Sequence, residues 1–222
     1  MISHALIMAA GRGLRMMPLT EKIPKPMASF GNTTLIADAI SRIHHQIANI
    51  HITVGYKGAE LARHVIEHGV SSIFNTEGKG NAWWLFNTPM KYVNEPVLVL
   101  TCDNVVELDL GLITKDYKSF KNPACMVVPV KPIEGLDGDF IFHKNNCVIE
   151  LNRKKQSDIY CSGIQVLNPA LINQLCIKTG DFYSVWSQLI NAQQLFSSNV
   201  YPNQWYAVDT IEQLNQLNLR ST

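Results

Sequence analysis

The chain has 222 residues, 46% hydrophobic and 17% charged, which supplies a sizeable core and is the opposite of a disordered composition. A formal net charge of +1 excludes the broad cationic footprint that non-specific nucleic-acid binding requires and suits a small anionic ligand better. The five cysteines stand at least fourteen residues apart, excluding a CxxC metal knuckle and a dense disulfide framework, and no stretch reaches the roughly 20 apolar residues of a membrane span. Reduced thiols and the lack of a basic leader before the first apolar run point to a cytoplasmic protein, folded as one domain over residues 1–222.

From His4, "HALIMAA" reads as a short buried strand that stops at Gly11, where backbone freedom rises. In "TLIADAISRIHHQIANI" the residues Leu35, Ile36, Ala39, Ile40, Ile43 and Ile47 share one helical face, and "IHITVGY" supplies the next strand. "AELARHVIEHG" reads as a helix closed by Gly69, "VSSIFN" as a strand, "NAWWLFNTPMKYV" as mostly helix and "PVLVLTCDN" as an apolar strand ending in acid. This alternation predicts an α/β fold, a largely parallel sheet with helices on both faces. Beyond Lys121 the short strands "ACMVVPV", "GDFIFH", "CVIEL" and "YCSGIQVL", with helices in "PALINQLCIKTG" and "FYSVWSQLINAQQ", read as additions to the same sheet. Ligands of such sheets collect at the carboxyl ends of the strands, which singles out the segment after "LIMAA" and the acid at Asp103.

That first segment, "MAAGRGLRMMPLTEKIPKPM", reads as a basic loop. Gly11 and Gly13 let backbone N–H groups turn toward an anion, while Arg12, Arg15, Lys22 and Lys25 surround the turn with positive charge, so a triphosphate fits there. A dinucleotide fingerprint needs glycine where Met16 stands, and a P-loop needs GKS or GKT, so neither standard nucleotide signature is present. Pro18, Pro24 and Pro26 restrict φ and hold Arg15 and Lys25 in place; the bland alternative is a solvated surface connection with prolines at its turns. His44, His45, His51, His64 and His68 lack the third ligand of a metal site and read as packing or solvated residues.

The run "AAGRGLRMMPLTEKIPKPM" resembles the signature AAGxGxRxxPLTxxxPKP of the nucleotidyltransferases that join a nucleoside triphosphate to a sugar 1-phosphate or to choline phosphate. The resemblance implies the Rossmann-like nucleotide-diphospho-sugar transferase fold, a mixed, mostly parallel sheet flanked by helices. It further implies that Ala9, Ala10, Gly11, Arg12 and Gly13 wrap the triphosphate, that Arg15 and Lys25 neutralise phosphates during transfer, and that Asp103 holds Mg2+. A hard divalent cation bridges phosphate oxygens through one or two carboxylates and water, so an acid at a strand end suits it. "QWYAVDTIEQLNQL" resembles the segment that supplies the second metal carboxylate. Here the acid is Asp209 and not the residue two after Trp205, which is Ala207, and this form is closer to choline-phosphate cytidylyltransferases. Asp209 also reads as the N-cap of the last helix, with Glu212 at capping-box spacing.

In "NTEGKGNAWWLFN" Asn81 offers a donor and an acceptor to a base or ribose, and of Trp83 and Trp84 at least one belongs to the core. Gly163 falls where family members let the acceptor approach the backbone, and Arg153, Lys154 and Lys155 stand equally for the acceptor-phosphate cation. The implied reaction is transfer of a nucleoside monophosphate to a sugar 1-phosphate with release of pyrophosphate. One alternative is a cytidylyltransferase acting on phosphocholine, whose quaternary ammonium the aromatics of "FYSVWSQLI" would cage. Another is an inactive nucleotide-binding regulatory module, opposed by the joint presence of Arg15, Lys25 and Asp103. The expected partners are the triphosphate and a small phosphorylated acceptor, with neither nucleic acid nor membrane; a homo-oligomer is left open.

Overall fold

A computed structural model describes residues 1–133 and 138–220. Strand β1 (His4–Met8) is followed not by an open loop but by a train of tight helical turns. Two 3-10 turns, Leu14–Met16 and Lys25–Met27, flank the four-residue helix α1 (Leu19–Lys22). A small ribbon of β2 (Ser29–Phe30) and β3 (Thr33–Thr34) leads into α2 (Leu35–His44), whose first turn is capped by the Thr34 hydroxyl accepting from the Ala37 N–H. Then come β4 (Asn49–Val54), α3 (Gly58–Ile66), β5 (Ser72–Asn75), α4 (Trp83–Asn87) and β6 (Val97–Thr101). The helix predicted through residue 93 breaks at Thr88, which adopts extended φ −115° and ψ 170° because Pro89 follows; its hydroxyl starts a separate 3-10 turn.

The second half runs β7 (Asn104–Glu107), α5 (Leu110–Ser119), β8 (Cys125–Val130), β9 (Phe140–Lys144), β10 (Cys147–Asn152), β11 (Tyr160–Leu167), α6 (Pro169–Leu175), α7 (Phe182–Asn191), β12 (Leu195–Ser197), β13 (Gln204–Ala207) and α8 (Ile211–Arg220). Among the described residues, nine strands form one mixed sheet in the order β5-β4-β1-β6-β11-β8-β12-β10-β9, parallel from β5 to β6 and antiparallel where β11 joins β6 and β8. Alternation along β1 sends Ala5 and Ile7 to the face covered by α2, α3 and α5, and Leu6 to the face covered by α4, α6 and α7. Burial on both faces explains why β1 and β6 are continuous apolar runs.

A third, smaller core decides where the site forms. Met16 and Ala28 from the basic segment, Phe30 and Leu35 beyond it, Val105 of β7, Val208 after β13, and Leu214 and Leu217 of α8 pack together. Strands β7 and β13 pair antiparallel, outside the main sheet, with Asn104 opposite Ala207. The chain leaving β6, the basic segment and the last helix are thereby drawn to the carboxyl edge of β1 and β6.

Candidate active site

Asp103 lies in the turn between β6 and β7, and its carbonyl accepts from the Val208 N–H at 2.8 Å, extending the β7–β13 pairing. Asp209 follows at once, so the two acids arrive side by side. Lys25 completes the group: its Nζ stands 2.9 Å from Asp103 Oδ2 and 3.1 Å from Asp209 Oδ1, contacts spanning 78 and 184 residues of sequence. Arg15 contributes a further ion pair, Nη2 to Asp209 Oδ1 at 2.7 Å, from a side chain that is 69% exposed. Lys25 is 8% exposed. Burial by itself lowers its pKa, but the charge and hydrogen bond of Asp103, with Asp209 adding less, outweigh that and hold the ammonium above its usual range.

Local chain chemistry explains how a lysine comes to sit there. Gly13 adopts φ +66°, and a Cβ at that position would lie 2.8 Å from the Lys25 Cβ, so only glycine lets the two ends of the basic segment close on each other. Thr20 Oγ1 donates to the Gly13 carbonyl, and the Tyr56 hydroxyl donates to the Thr20 carbonyl, tying the segment back to the sheet. Gly11, by contrast, faces open space. Gly163 marks a bulge in β11 with φ +81°, where a Cβ would meet Asn104 Nδ2 at 2.8 Å and Thr101 Oγ1 at 3.0 Å. Asn104 uses that space to donate to the Thr101 hydroxyl at 2.7 Å and the Ser162 carbonyl at 2.6 Å, which fixes the residue after Asp103.

A cleft of about 560 Å3 opens over these groups, lined among others by Gly11, Arg12, Gly13, Arg15, Lys25, Asn81, Asp103 and Asp209. Of the residues singled out in the sequence, these eight are brought together. Ala9 and Ala10 are not: Ala9 is 1% exposed with its N–H bound to Thr53, and the Ala10 carbonyl accepts from the Tyr56 N–H, so both serve to join the strand to its neighbours. Asn81 reaches the cleft with half its amide already in use, since Oδ1 accepts from the Phe182 N–H at 2.9 Å. Arg153 and Lys154 line a separate hollow with Tyr183, Leu151 and Asn152. Arg153 donates to Asp139 at 2.9 Å, and Lys155 lies 3.7 Å from Glu150 and over the Phe142 ring.

Two expectations are corrected. Asp209 does not cap the last helix: the Thr210 hydroxyl accepts from the Gln213 N–H, and Gln213 Oε1 accepts from the Thr210 N–H, a capping box one residue later than Asp209 and Glu212. The aromatics of α7 do not form a cage, because Phe182 is 2% exposed, Trp186 stacks on it and donates to Gln165, and of the three only Tyr183 is exposed. Trp84 is fully buried in the core, as at least one of the adjacent tryptophans had to be.

The donor set suits a hard cation. Lys25 Nζ contacts two carboxylates at once, so their oxygens already surround a point where positive charge belongs. The nearby soft ligand is silenced, since burial pushes the Cys102 thiol up to about 12. Among the described residues no group of three His, Cys, Asp or Glu could hold a metal by itself, so such a cation would also need oxygens from a ligand, as Mg2+ does when it is shared with a polyphosphate. No helix among the described residues is long and apolar enough to cross a membrane.

Comparison with known proteins gives this geometry a context. The family model described as nucleotidyl transferase matches residues 4–176. The mannose-1-phosphate guanyltransferase of Pichia angusta is 27% identical over 220 residues, covering 91% of this chain and 60% of that protein. The bifunctional protein GlmU of Methanocaldococcus jannaschii is 29% identical over 156 residues, covering 69% of this chain and 36% of that protein. The chain therefore spans 60% and 36% of the length of these relatives. Among solved structures, a putative glucose-1-phosphate thymidylyltransferase from Bacillus anthracis superposes with a TM-score of 0.81 at 18% identity, covering 98% of this chain and 94% of that one. The CTP:phosphocholine cytidylyltransferase of Streptococcus pneumoniae gives 0.77 at 20% identity with full coverage of both. These structural likenesses establish the nucleotide-diphospho-sugar transferase fold.

Proposed function

The chain belongs to the nucleotidyl transferase family, and from that premise we propose that it transfers a nucleoside monophosphate from a nucleoside triphosphate to a sugar 1-phosphate, releasing pyrophosphate. The observation that carries the reading is the single cluster of Lys25, Asp103, Asp209 and Arg15 beneath the Gly11–Gly13 turn in one cleft. An acceptor phosphate oxygen attacks the α-phosphorus in line, the bond from that phosphorus to the α–β bridging oxygen breaks, and pyrophosphate leaves. The attacking oxygen is already anionic, so no protein nucleophile or base is required.

The side chains bind and neutralise. Gly11 and Gly13 let the backbone approach the triphosphate, Arg12 and Arg15 meet its outer oxygens, and Lys25 lies deep enough to face the charge that develops at the transferring phosphoryl group. Asp103 and Asp209 would hold Mg2+, which when bound neutralises phosphate oxygens. Mannose-1-phosphate guanyltransferases among the relatives favour a sugar 1-phosphate acceptor. The position of Asp209 favours phosphocholine, but the burial of Phe182 removes the cage that the aromatics of α7 would have offered a quaternary ammonium.

The test is pyrophosphate release from GTP, UTP, CTP, ATP and dTTP with Mg2+, each paired with mannose 1-phosphate, glucose 1-phosphate or phosphocholine. Release with a hexose 1-phosphate supports the reading, and release with phosphocholine alone replaces it by the cytidylyltransferase. Thermal stabilisation by a nucleotide without any release would leave a regulatory module.

A further inference from the structure

Asp209 stands at the entrance to a helix, where aspartate ordinarily spends its carboxylate on the free N–H groups of the first turn. Here it does not. Gln213 Oε1 accepts from the Asp209 N–H at 2.7 Å as well as from the Thr210 N–H at 3.0 Å, while the Thr210 hydroxyl receives the Gln213 N–H at 3.2 Å. Both partners of the Gln213 amide are donors, so its oxygen and not its nitrogen must face them. The Val208 N–H is meanwhile held by the Asp103 carbonyl. Backbone donors on both sides of the Asp209 peptide are thus satisfied without its side chain, which is left free to meet Lys25 and Arg15.

We propose that Gln213 is a positioning residue for Asp209: by taking over the cap of α8 with its own amide, it keeps the Asp209 carboxylate turned into the cleft. The inference rests on the proposed role of Asp209 and adds a residue to it. Without the Gln213 oxygen, the orphaned donors at the helix start would compete for the Asp209 carboxylate and draw it away from Lys25. The helix itself would survive, because Leu214 and Leu217 anchor it in the third core.

The experiment compares full-length Gln213→Met, which keeps volume and drops the acceptor, with Gln213→Glu, which retains an acceptor at the same reach. For Gln213→Met we expect kcat for pyrophosphate release to fall about 10-fold, the scale of outer-shell substitutions, with acceptor KM changed less than about twofold. Mn2+ binding, read from loss of the free-ion EPR signal, should weaken by about the same factor, and a crystal structure should show the carboxylate turned onto the start of α8. Gln213→Glu should restore all three. A folded Gln213→Met protein with wild-type kcat and Asp209 still on Lys25 would overturn the proposal. Should that variant fail to fold, Gln213→Ala carries the same expectations. If the wild type releases no pyrophosphate with any substrate pair, the transferase reading fails, and the variant's crystal structure still decides the positioning claim.

Discussion

Replacing Lys25 by methionine removes the ammonium while keeping an unbranched, flexible side chain of similar reach. Two charge-assisted hydrogen bonds, at 2.9 and 3.1 Å, disappear, and the Asp103 and Asp209 carboxylates are left facing each other. Breaking a fully buried pair costs about 3–5 kcal/mol. This one should cost less, about 2–3 kcal/mol, because the Asp103 side chain is 31% exposed and Arg15 still neutralises Asp209. For a chain of this size that is a drop in Tm of roughly 4–12 °C. A divalent cation should reverse the effect more strongly than it stabilises the wild type, since in the wild type it must first displace the lysine. Differential scanning fluorimetry with and without millimolar Mg2+ measures both quantities, and a pyrophosphate assay should show turnover reduced about 10²-fold or more. An unchanged Tm, or Mg2+ that stabilises the wild type more than the variant, would refute the idea that Lys25 balances the two acids.

Other perturbations separate stability from chemistry. Arg15→Ala should leave Tm nearly unchanged, because an ion pair to a side chain 69% exposed contributes little, yet it should lower turnover measurably in the same assay. Asp103→Asn should abolish the Mg2+-dependent rise in Tm and reduce turnover about 10²-fold, with circular dichroism unaltered. Gly163→Ala should destabilise by about 1–3 kcal/mol, seen in urea melts, because its φ of +81° and its contacts with Asn104 and Thr101 leave no room for a methyl group. His51 has its pKa lowered to about 4 by burial and, secondarily, by His4. The unfolded chain therefore takes up the proton first, and stability should fall by about 3 kcal/mol as pH drops from 6.5 to 4. Urea melts of His51→Gln across that range should lose that slope.

The sheet was legible wherever both faces of a strand are buried, because β1 and β6 carry unbroken apolar runs that nothing else explains. Helix α5 is not legible in the sequence: in "LGLITKDYKS" only Leu110, Ile113 and Tyr117 are buried, and a glycine and charged residues interrupt their stripe. Strands β7 and β13 were equally hidden, since each is four residues long and exists through the other, nearly a hundred residues away. The basic segment advertised its chemistry but not its shape, as proline and glycine punctuation marks a turn without saying how many turns follow. The cap of α8 shows a finer limit. "DTIEQ" satisfies capping-box spacing in two registers, Asp209 with Glu212 and Thr210 with Gln213, and the choice falls to the second because the pairing of Val208 with Asp103 sets where the helix can begin. That one-residue shift turns a capping acid into a free one. Ala9 carries no such signal in the sequence for its packing: its methyl is buried at the end of β1.

A crystal structure of the wild-type chain with a nucleoside triphosphate and Mg2+ bears most directly on the convergence of Lys25, Asp103 and Asp209 upon one polyphosphate. The expected map has phosphates beneath the Gly11–Gly13 turn, the metal between the two carboxylates, and the Lys25 ammonium moved onto a phosphate oxygen. Phosphates bound elsewhere, with Lys25 still bridging both acids, would contradict it.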